Sequence, residues 1–355
     1  MSLRPFSRSL VRPGRRAVLG GLAGIGVLAG GGILLRDRFD QAEKEQHAQP
    51  DGVFRKLKLA CPHPSHDPVL AMALRDGFLD RYNLDITVLD GADTGRQALD
   101  QLRTGAADVA IAPALSWLPQ LLGGLEAKLI CGLQSGSSRL LVDRRSRFKR
   151  IEDLYRHAIA LPDAAGGPDA GADRLFFSIV MRRKGMNPNK DVTWISVAPE
   201  RFGEVLASGQ VQAVGGHDPV IWEAQQSLHL AELASSMTGS YSARVVRVLG
   251  ARDDLLARDP RAAVSLVLAF QEAARVVASH LAETASVMAD QIPDMPQDSI
   301  LKMLQAEKHD VHPVGQELRE QIAQYVDELK LIGLVDENQD SGSISKRFCA
   351  TILRG

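Results

Sequence analysis

The chain has 355 residues, which excludes a single small module because domains typically contain about 100–200 residues. Apolar residues make up 45% of the composition and charged residues 24%, which is ordinary globular usage and excludes a wholly disordered, collagen-like or coiled-coil chain. The formal net charge of −1 excludes the overall basic field that nucleic-acid-binding proteins use, so we expect no nucleic-acid partner.

The N-terminal segment differs sharply from the rest of the chain. Residues 1–40 contain seven Arg and two Asp, a net charge of +5, which leaves −6 for residues 41–355. The pair Arg15–Arg16 directly precedes 19 uncharged residues, Ala17 to Leu35. A basic pair before an apolar run is typical of a twin-arginine export signal, and a run of this length also suffices for a membrane anchor. We therefore predict an export signal or uncleaved anchor over 1–36, a polar linker over 37–52 and a periplasmic body.

From Val53 onward, apolar runs of strand length alternate with longer amphipathic segments. The first set predicts strands at 57–61, 84–89, 108–112 and 127–133, and helices at 69–82, 95–103 and 114–122. After the Ser135–Ser138 break, the pattern predicts strands at 139–142, 158–161, 192–197 and 211–215, and helices at 151–156, 169–185, 200–208 and 219–227. A strand at 243–249 is followed only by helices, at 259–290, 297–308, 314–332 and 343–353.

This order predicts an α/β fold with two lobes and a C-terminal helical layer. Strands that alternate with helices form mostly parallel sheets with helices on both faces. We expect lobe 1 to contain residues 53–138 plus 245–355 and lobe 2 to contain residues 139–244. The two lobes echo each other, since the tetrapeptide His-Asp-Pro-Val occurs at 66–69 and again at 217–220.

Ligands of open α/β sheets bind beyond the carboxyl ends of the strands, where helix N-termini present unpaired N–H groups. The loops at those ends, a Ser-rich crossing between the lobes and nearby aromatic rings supply the candidate ligand-binding residues. These are His66, Asp67, Asp93, Thr94, Pro113, Ser116, Trp117, Ser135, Ser137, Gly167, His217, Asp218 and Tyr241.

The two His-Asp-Pro loops have three possible roles. Asp67 and Asp218 each precede a proline, which is the pattern of a helix N-cap followed by Pro at the first helical position. The histidines and carboxylates could also contact a ligand, or bind a metal together with His63. Asp93-Thr94 is a further candidate N-cap. The three cysteines are widely spaced and predict buried core thiols, and we expect no cofactor.

Several segments resemble one family in the correct order. The segments Asp67–Ala71, Asp76–Leu79 and Tyr82–Ile86 resemble the start of the nitrate/sulfonate/taurine class of ABC-transporter substrate-binding proteins, which also includes binders of thiamine-pyrimidine precursors. The segment Leu102–Ala114 and its echo at 206–214 resemble two later strands of that family. The resemblance implies a type II periplasmic-binding-protein fold that closes on a small organic or oxyanion solute, and a monomer that delivers this solute to an ABC permease.

Two other functions are compatible with the same fold. One is an extracytoplasmic sensor subunit that binds a ligand without transport, and the other is a pyrimidine-synthase-like enzyme. The chain lacks the cysteine-rich motif of that synthase branch and has no G-x-S-x-G, H-E-x-x-H or P-loop motif. We therefore expect a binding protein rather than an enzyme.

Overall fold

The computed structural model describes residues 52–75 and 77–353, which belong to one compact unit, His47–Gly355. The predicted export signal, the predicted linker up to residue 51 and Asp76 of the family motif lie outside the described residues. Within the described residues, ten strands form two sheets. The strands are β1 Arg55–Ala60, β2 Leu84–Leu89, β3 Val109–Pro113, β4 Ala127–Ser135, β5 Ser138–Asp143, β6 His157–Leu161, β7 Val192–Ser196, β8 Ala213–His217, β9 Leu230–Ser235 and β10 Val245–Arg252.

The two sheets share one topology. The first has the order β2-β1-β3-β10-β4, and the second has the order β7-β6-β8-β5-β9. In the first sheet β1 is parallel to β2 and β3, whereas β10 is antiparallel to both β3 and β4. In the second sheet β6 is parallel to β7 and β8, and β5 is antiparallel to β8 and β9. Each sheet therefore has a single reversed strand, β10 or β5, and the predicted α/β fold with mostly parallel sheets is confirmed.

Helices cover the sheets. They are α1 Pro68–Ala73, α2 Gly95–Arg103, α3 Ala114–Leu122, α4 Ala172–Arg183, α5 Phe202–Ala207, α6 Val220–Ser227, α7 Asp253–Arg258, α8 Pro260–Ser279, α9 Leu281–Ala289, α10 Gln297–Ala306, α11 Gly315–Leu331 and α12 Ser341–Phe348. Helix α8 packs against β4 and α1, and its apolar residues Leu266, Phe270 and Ala273 are fully buried. Within the described residues, α8 has the length and hydropathy of a membrane span, but it is mostly buried in the body.

Some predicted elements have different bounds. The helix predicted at 69–82 is only α1, because the chain turns through a left-handed Gly77 before a short 3-10 turn, Leu79–Tyr82. The helix predicted at 259–290 breaks at His280, whose backbone is not helical, and becomes α8 and α9. The sequence reading missed strand β9, and the helix predicted at 151–156 is a single 3-10 turn, Ile151–Leu154.

Candidate functional site

A cleft of about 390 Å³ lies at the carboxyl ends of the strands and takes residues from both sheets. From the first sheet it is lined by Pro62 after β1, Pro113 at the end of β3 and Arg247 in β10. From the second it is lined by Pro162 after β6 and His217 at the end of β8. Its volume falls in the range of about 300–1,000 Å³ that is usual for small-molecule sites.

A smaller cavity of about 30 Å³ adjoins this cleft and shares His66, Pro113, Asp173, His217 and Arg247 with it. The remaining lining comes mainly from the crossing between the sheets and from the end of α10. It includes Gln134, Ser135, Ser137, Ser138, Asp218 and Glu307. The two cavities therefore share a polar floor.

Nine of the thirteen predicted contact residues line one of these two cavities. The large cleft is lined by His66, Asp93, Thr94, Pro113, Ser116 and His217, and by His63 beside them. Ser135, Ser137 and Asp218 line the small cavity. A role of these residues in ligand binding stays a prediction, because the structure shows only their position.

The other four predicted residues lie away from both cavities. Trp117 is fully buried, and its indole Nε1 donates to the Val248 carbonyl at 3.0 Å. Tyr241 packs edge-on against Phe176 at a separate small cavity. Gly167 lines a shallow pocket beside α4, and Asp67 is fully buried beneath the cleft floor. We therefore do not include these four residues in the proposed ligand site.

The two His-Asp-Pro loops use their aspartates differently. Asp67 is the predicted N-cap of α1, since its Oδ1 accepts from the Leu70 N–H at 2.9 Å. The predicted cap by Asp218 is wrong, because helix α6 begins without a side-chain cap. The Asp218 carboxylate instead accepts from the Arg139 guanidinium, at 3.1 Å from Nη2. Thr94 caps α2 as predicted, with Gln97 completing a capping box.

His217 forms a hydrogen-bonded pair with a carboxylate at the cleft. Its Nδ1 lies 2.7 Å from Asp173 Oδ2, and the Ser138 hydroxyl donates to Asp173 Oδ1 at 2.6 Å. Burial alone would raise the pKa of Asp173, but the charge and hydrogen bond of His217 and the Ser138 hydrogen bond lower it below its ordinary value. Asp173 is therefore ionised at neutral pH, which fixes the orientation of the His217 ring toward the cleft.

The other two cleft histidines are neutral at physiological pH. Burial, followed by the charges of His63, Arg247 and His217, lowers the pKa of His66 to about 4. Burial is also the main cause that lowers the pKa of His63 below its ordinary value of 6.5, followed by His217. Permanent positive charge on the cleft lining therefore comes from arginines rather than from these rings.

Across residues 52–75 and 77–353, no group of three or more His, Cys, Asp or Glu side chains is arranged to hold a metal ion, and these residues include the two His-Asp-Pro loops.

Comparison with known proteins identifies the family. The model of the NMT1-like family matches residues 54–292, well over half of the chain. The chain belongs to the NMT1-like family. This membership confirms the substrate-binding-protein family that the sequence motifs predicted. A search of curated proteins found no match.

Solved structures share the fold of this NMT1-like protein at low sequence identity. The alkanesulfonate-binding protein SsuA from Xanthomonas axonopodis pv. citri is 16% identical, with a TM-score of 0.67 over 82% of this chain and 98% of that chain. The aliphatic sulphonate binding protein SsuA from Escherichia coli is 17% identical, with a TM-score of 0.68 over 84% and 94%. The nitrate-binding protein NrtA from Synechocystis PCC 6803 is 15% identical, with a TM-score of 0.67 over 85% and 87%. The shared feature is the periplasmic-binding-protein fold.

The sequence did not single out several polar residues of the site in this NMT1-like protein, including Arg139, Arg247, Asp173 and Glu307. Arg139 and Arg247 lie on the reversed strands, which read as apolar runs. Asp173 lies inside a predicted helix, and Glu307 belongs to the C-terminal layer, far along the chain. The Ser-rich crossing that the sequence singled out includes Ser138, which lines the small cavity with its neighbours. One available signal was an arginine within an apolar strand, since a buried charge needs a partner or a ligand.

Proposed function

We propose that the protein is an extracytoplasmic solute-binding component of an ABC importer, which captures a small solute in its cleft, releases it unchanged and delivers it to a permease. The observation that carries this proposal is the 390 Å³ cleft formed by both sheets, with polar side chains on its floor. Family membership and the fold shared with solute-binding proteins support it.

The proposed location is the periplasm, with export by the twin-arginine route. The pair Arg15–Arg16 and the apolar run after it support this location. Fractionation of expressing cells tests it, because recovery of the protein in the cytosol would contradict export.

A thermal-shift screen of the full chain tests the function. The panel contains nitrate, bicarbonate, alkanesulfonates, taurine, amino acids, short carboxylates and hydroxymethylpyrimidine. A solute at about 100 times its dissociation constant adds about 2.7 kcal/mol of stability, so the melting temperature rises by several degrees. The solute recovered afterwards has an unchanged mass. If no solute of any class raises the melting temperature, the proposed function is wrong.

A further inference from the structure

Arg247 is a buried guanidinium whose hydrogen-bonding capacity is unused. It lies on β10, is 8% exposed and lines both cavities. Its Nη1 has no hydrogen-bond partner within the described residues, and the nearest carboxylate oxygen there, Asp67 Oδ2, is 4.0 Å away. That oxygen also lacks a hydrogen-bond partner in the same part of the chain. A buried cation with an unused donor is costly unless something occupies the cleft in front of it.

The corresponding arginine of the second sheet has carboxylate partners for all three of its guanidinium nitrogens. Arg139 lies on β5, the reversed strand of the second sheet, and donates to Asp218 through Nε and Nη2. Its Nη1 donates to Glu232 at 3.0 Å. Both arginines therefore stand near the aspartate of a His-Asp-Pro loop, but of the two only Arg247, which lines the cleft, has an unused donor. This difference assigns Arg247 to an anionic group of the solute.

The mouth of the cleft carries the opposite charge. Three lining carboxylates, Asp93, Asp163 and Glu200, form no ion pair within the described residues, and they are more exposed than Arg247. The cleft arginine nearer to solvent, Arg96, is already paired, since its Nη1 lies 2.7 Å from Asp169. The floor thus holds a guanidinium with an unused donor beside the Asp173 carboxylate, which His217 and Ser138 already engage, whereas the mouth is negative. Between these ends the wall carries apolar rings, including those of Pro113, Pro162 and Pro199.

We propose that the cleft selects a zwitterionic organic solute, whose anionic group binds Arg247 and whose cationic group lies among Asp93, Asp163 and Glu200. Asp93 precedes α2 beside the first sheet, whereas Asp163 and Glu200 follow β6 and β7 of the second sheet. A cation at the mouth therefore interacts with both lobes, and the apolar spacer of the solute contacts the proline wall. This inference rests on the proposed function and narrows its substrate class.

Calorimetric titration of the full chain with matched solute pairs tests the inference. Each pair has the same anionic group and differs in an ammonium group: glycine and acetate, β-alanine and propionate, 4-aminobutyrate and butyrate, taurine and ethanesulfonate. We expect at least one zwitterion to bind, and to bind more tightly than its anion. Each carboxylate at the mouth should contribute about a two- to fivefold difference, the size of an exposed ion pair.

Two variants test the floor and the mouth of the cleft separately. Arg247→Gln should weaken binding of the zwitterion by about 10- to 150-fold, the effect of losing a hydrogen bond to a charged group. Glu200→Gln should weaken the zwitterion two- to fivefold and leave the matched anion unchanged. Arg258→Gln is the matched control, since Arg258 is a surface arginine that pairs with Asp108 at 3.2 Å. Thermal melting of each variant without solute shows whether it is folded.

The outcomes distinguish this inference from the function on which it rests. Anions that bind as tightly as their zwitterions, or an Arg247→Gln variant that is folded and binds normally, overturn the zwitterion inference. If none of the pairs binds but another solute of the thermal-shift panel does, the inference fails and the proposed function stands. If no solute of any class binds, both fail.

Discussion

At the scale of single residues, two carboxyl groups meet beneath the cleft. Asp218, after β8, and Glu307, after α10, are hydrogen-bonded to each other, and both are buried. Burial and then the charge of Asp218 raise the pKa of Glu307 well above its ordinary value of 4.5. Burial also raises the pKa of Asp218, although Arg139 opposes this. The pair therefore holds a proton at pH values where exposed carboxyl groups have lost theirs.

This pair makes a pH-dependent contribution to stability. Because the folded pKa of Glu307 is raised, the folded state binds more protons than the unfolded state, and the stability from this group falls as the pH rises above about 4.5. The basic groups that act on the pair are Arg139, Arg247 and His217. Glu307→Gln keeps a donor for Asp218 without a titrating proton. The stability difference between wild type and this variant should therefore shift in favour of the variant as the pH rises.

Urea unfolding of both proteins from about pH 5 to about pH 8 measures this difference. The effects that the cleft histidines have independently of Glu307 cancel in it, since both proteins contain them. A difference that stays constant over this range would show that Glu307 titrates like an ordinary glutamate.

At the scale of elements, helix α3 is fixed to its sheet by one side chain. Trp117 lies on α3, and its ring fills the space above Gly250 of β10, where an added Cβ would come within 2.5 Å of the indole. The indole also donates to the Val248 carbonyl of the same strand. The sequence suggested a ring that stacks on a ligand, but this Trp joins a helix to the reversed strand of the first sheet.

Trp117→Phe should lower the free energy of unfolding by about 1–3 kcal/mol, because it removes the indole hydrogen bond to the Val248 carbonyl and also removes ring volume. It should leave solute affinity unchanged. Trp222→Phe is the matched control, since Trp222 is half-buried and donates to the Ser299 hydroxyl at 3.2 Å, so its loss should be smaller. Urea unfolding and calorimetric titration provide the two readouts. Normal stability combined with weaker solute binding in Trp117→Phe would place this ring at the ligand after all.

The helices and strands also show which parts of the fold the sequence can predict. Helix α2 and strand β2 have the predicted bounds, because their periodicity and turn residues are local signals. Strand β9, with the sequence Leu-Ala-Glu-Leu-Ala-Ser, lacks β-branched residues and is set by its pairing with β5 at the sheet edge. The loops of the cleft were predictable from topology. The approach of Arg247 to Asp67 and the contact between Asp218 and Glu307 were not predictable, because these residues are distant in the chain.

At the scale of the whole molecule, the two sheets are joined by two crossings and the C-terminal layer. Ser135 and Ser138 bound the first crossing, and the Ser135 hydroxyl donates to the Lys308 carbonyl at 2.6 Å. Near the second crossing, Arg244 forms an ion pair at 2.7 Å with Glu328 of α11. Arg183 of α4 pairs with the same glutamate, also at 2.7 Å. Few chain segments pass from one sheet to the other. Two lobes that are joined in this way can close around a ligand by bending at the connecting segments.

Closure of the two lobes around a bound solute can be measured as a change in the distance between two spin labels. The described cysteines, Cys61, Cys131 and Cys349, are buried, and burial raises the pKa of each thiol. Labels should therefore react with cysteines introduced as Arg103→Cys on α2 and Glu204→Cys on α5, both exposed positions.

Pulsed electron resonance on the full chain then measures the distance with and without the solute that gives the largest thermal shift. We predict a shorter and narrower distance distribution when this solute is added, and no change with a panel solute that gives no thermal shift. An unchanged distribution in the presence of a solute that stabilises the protein would contradict closure of the two lobes around the cleft.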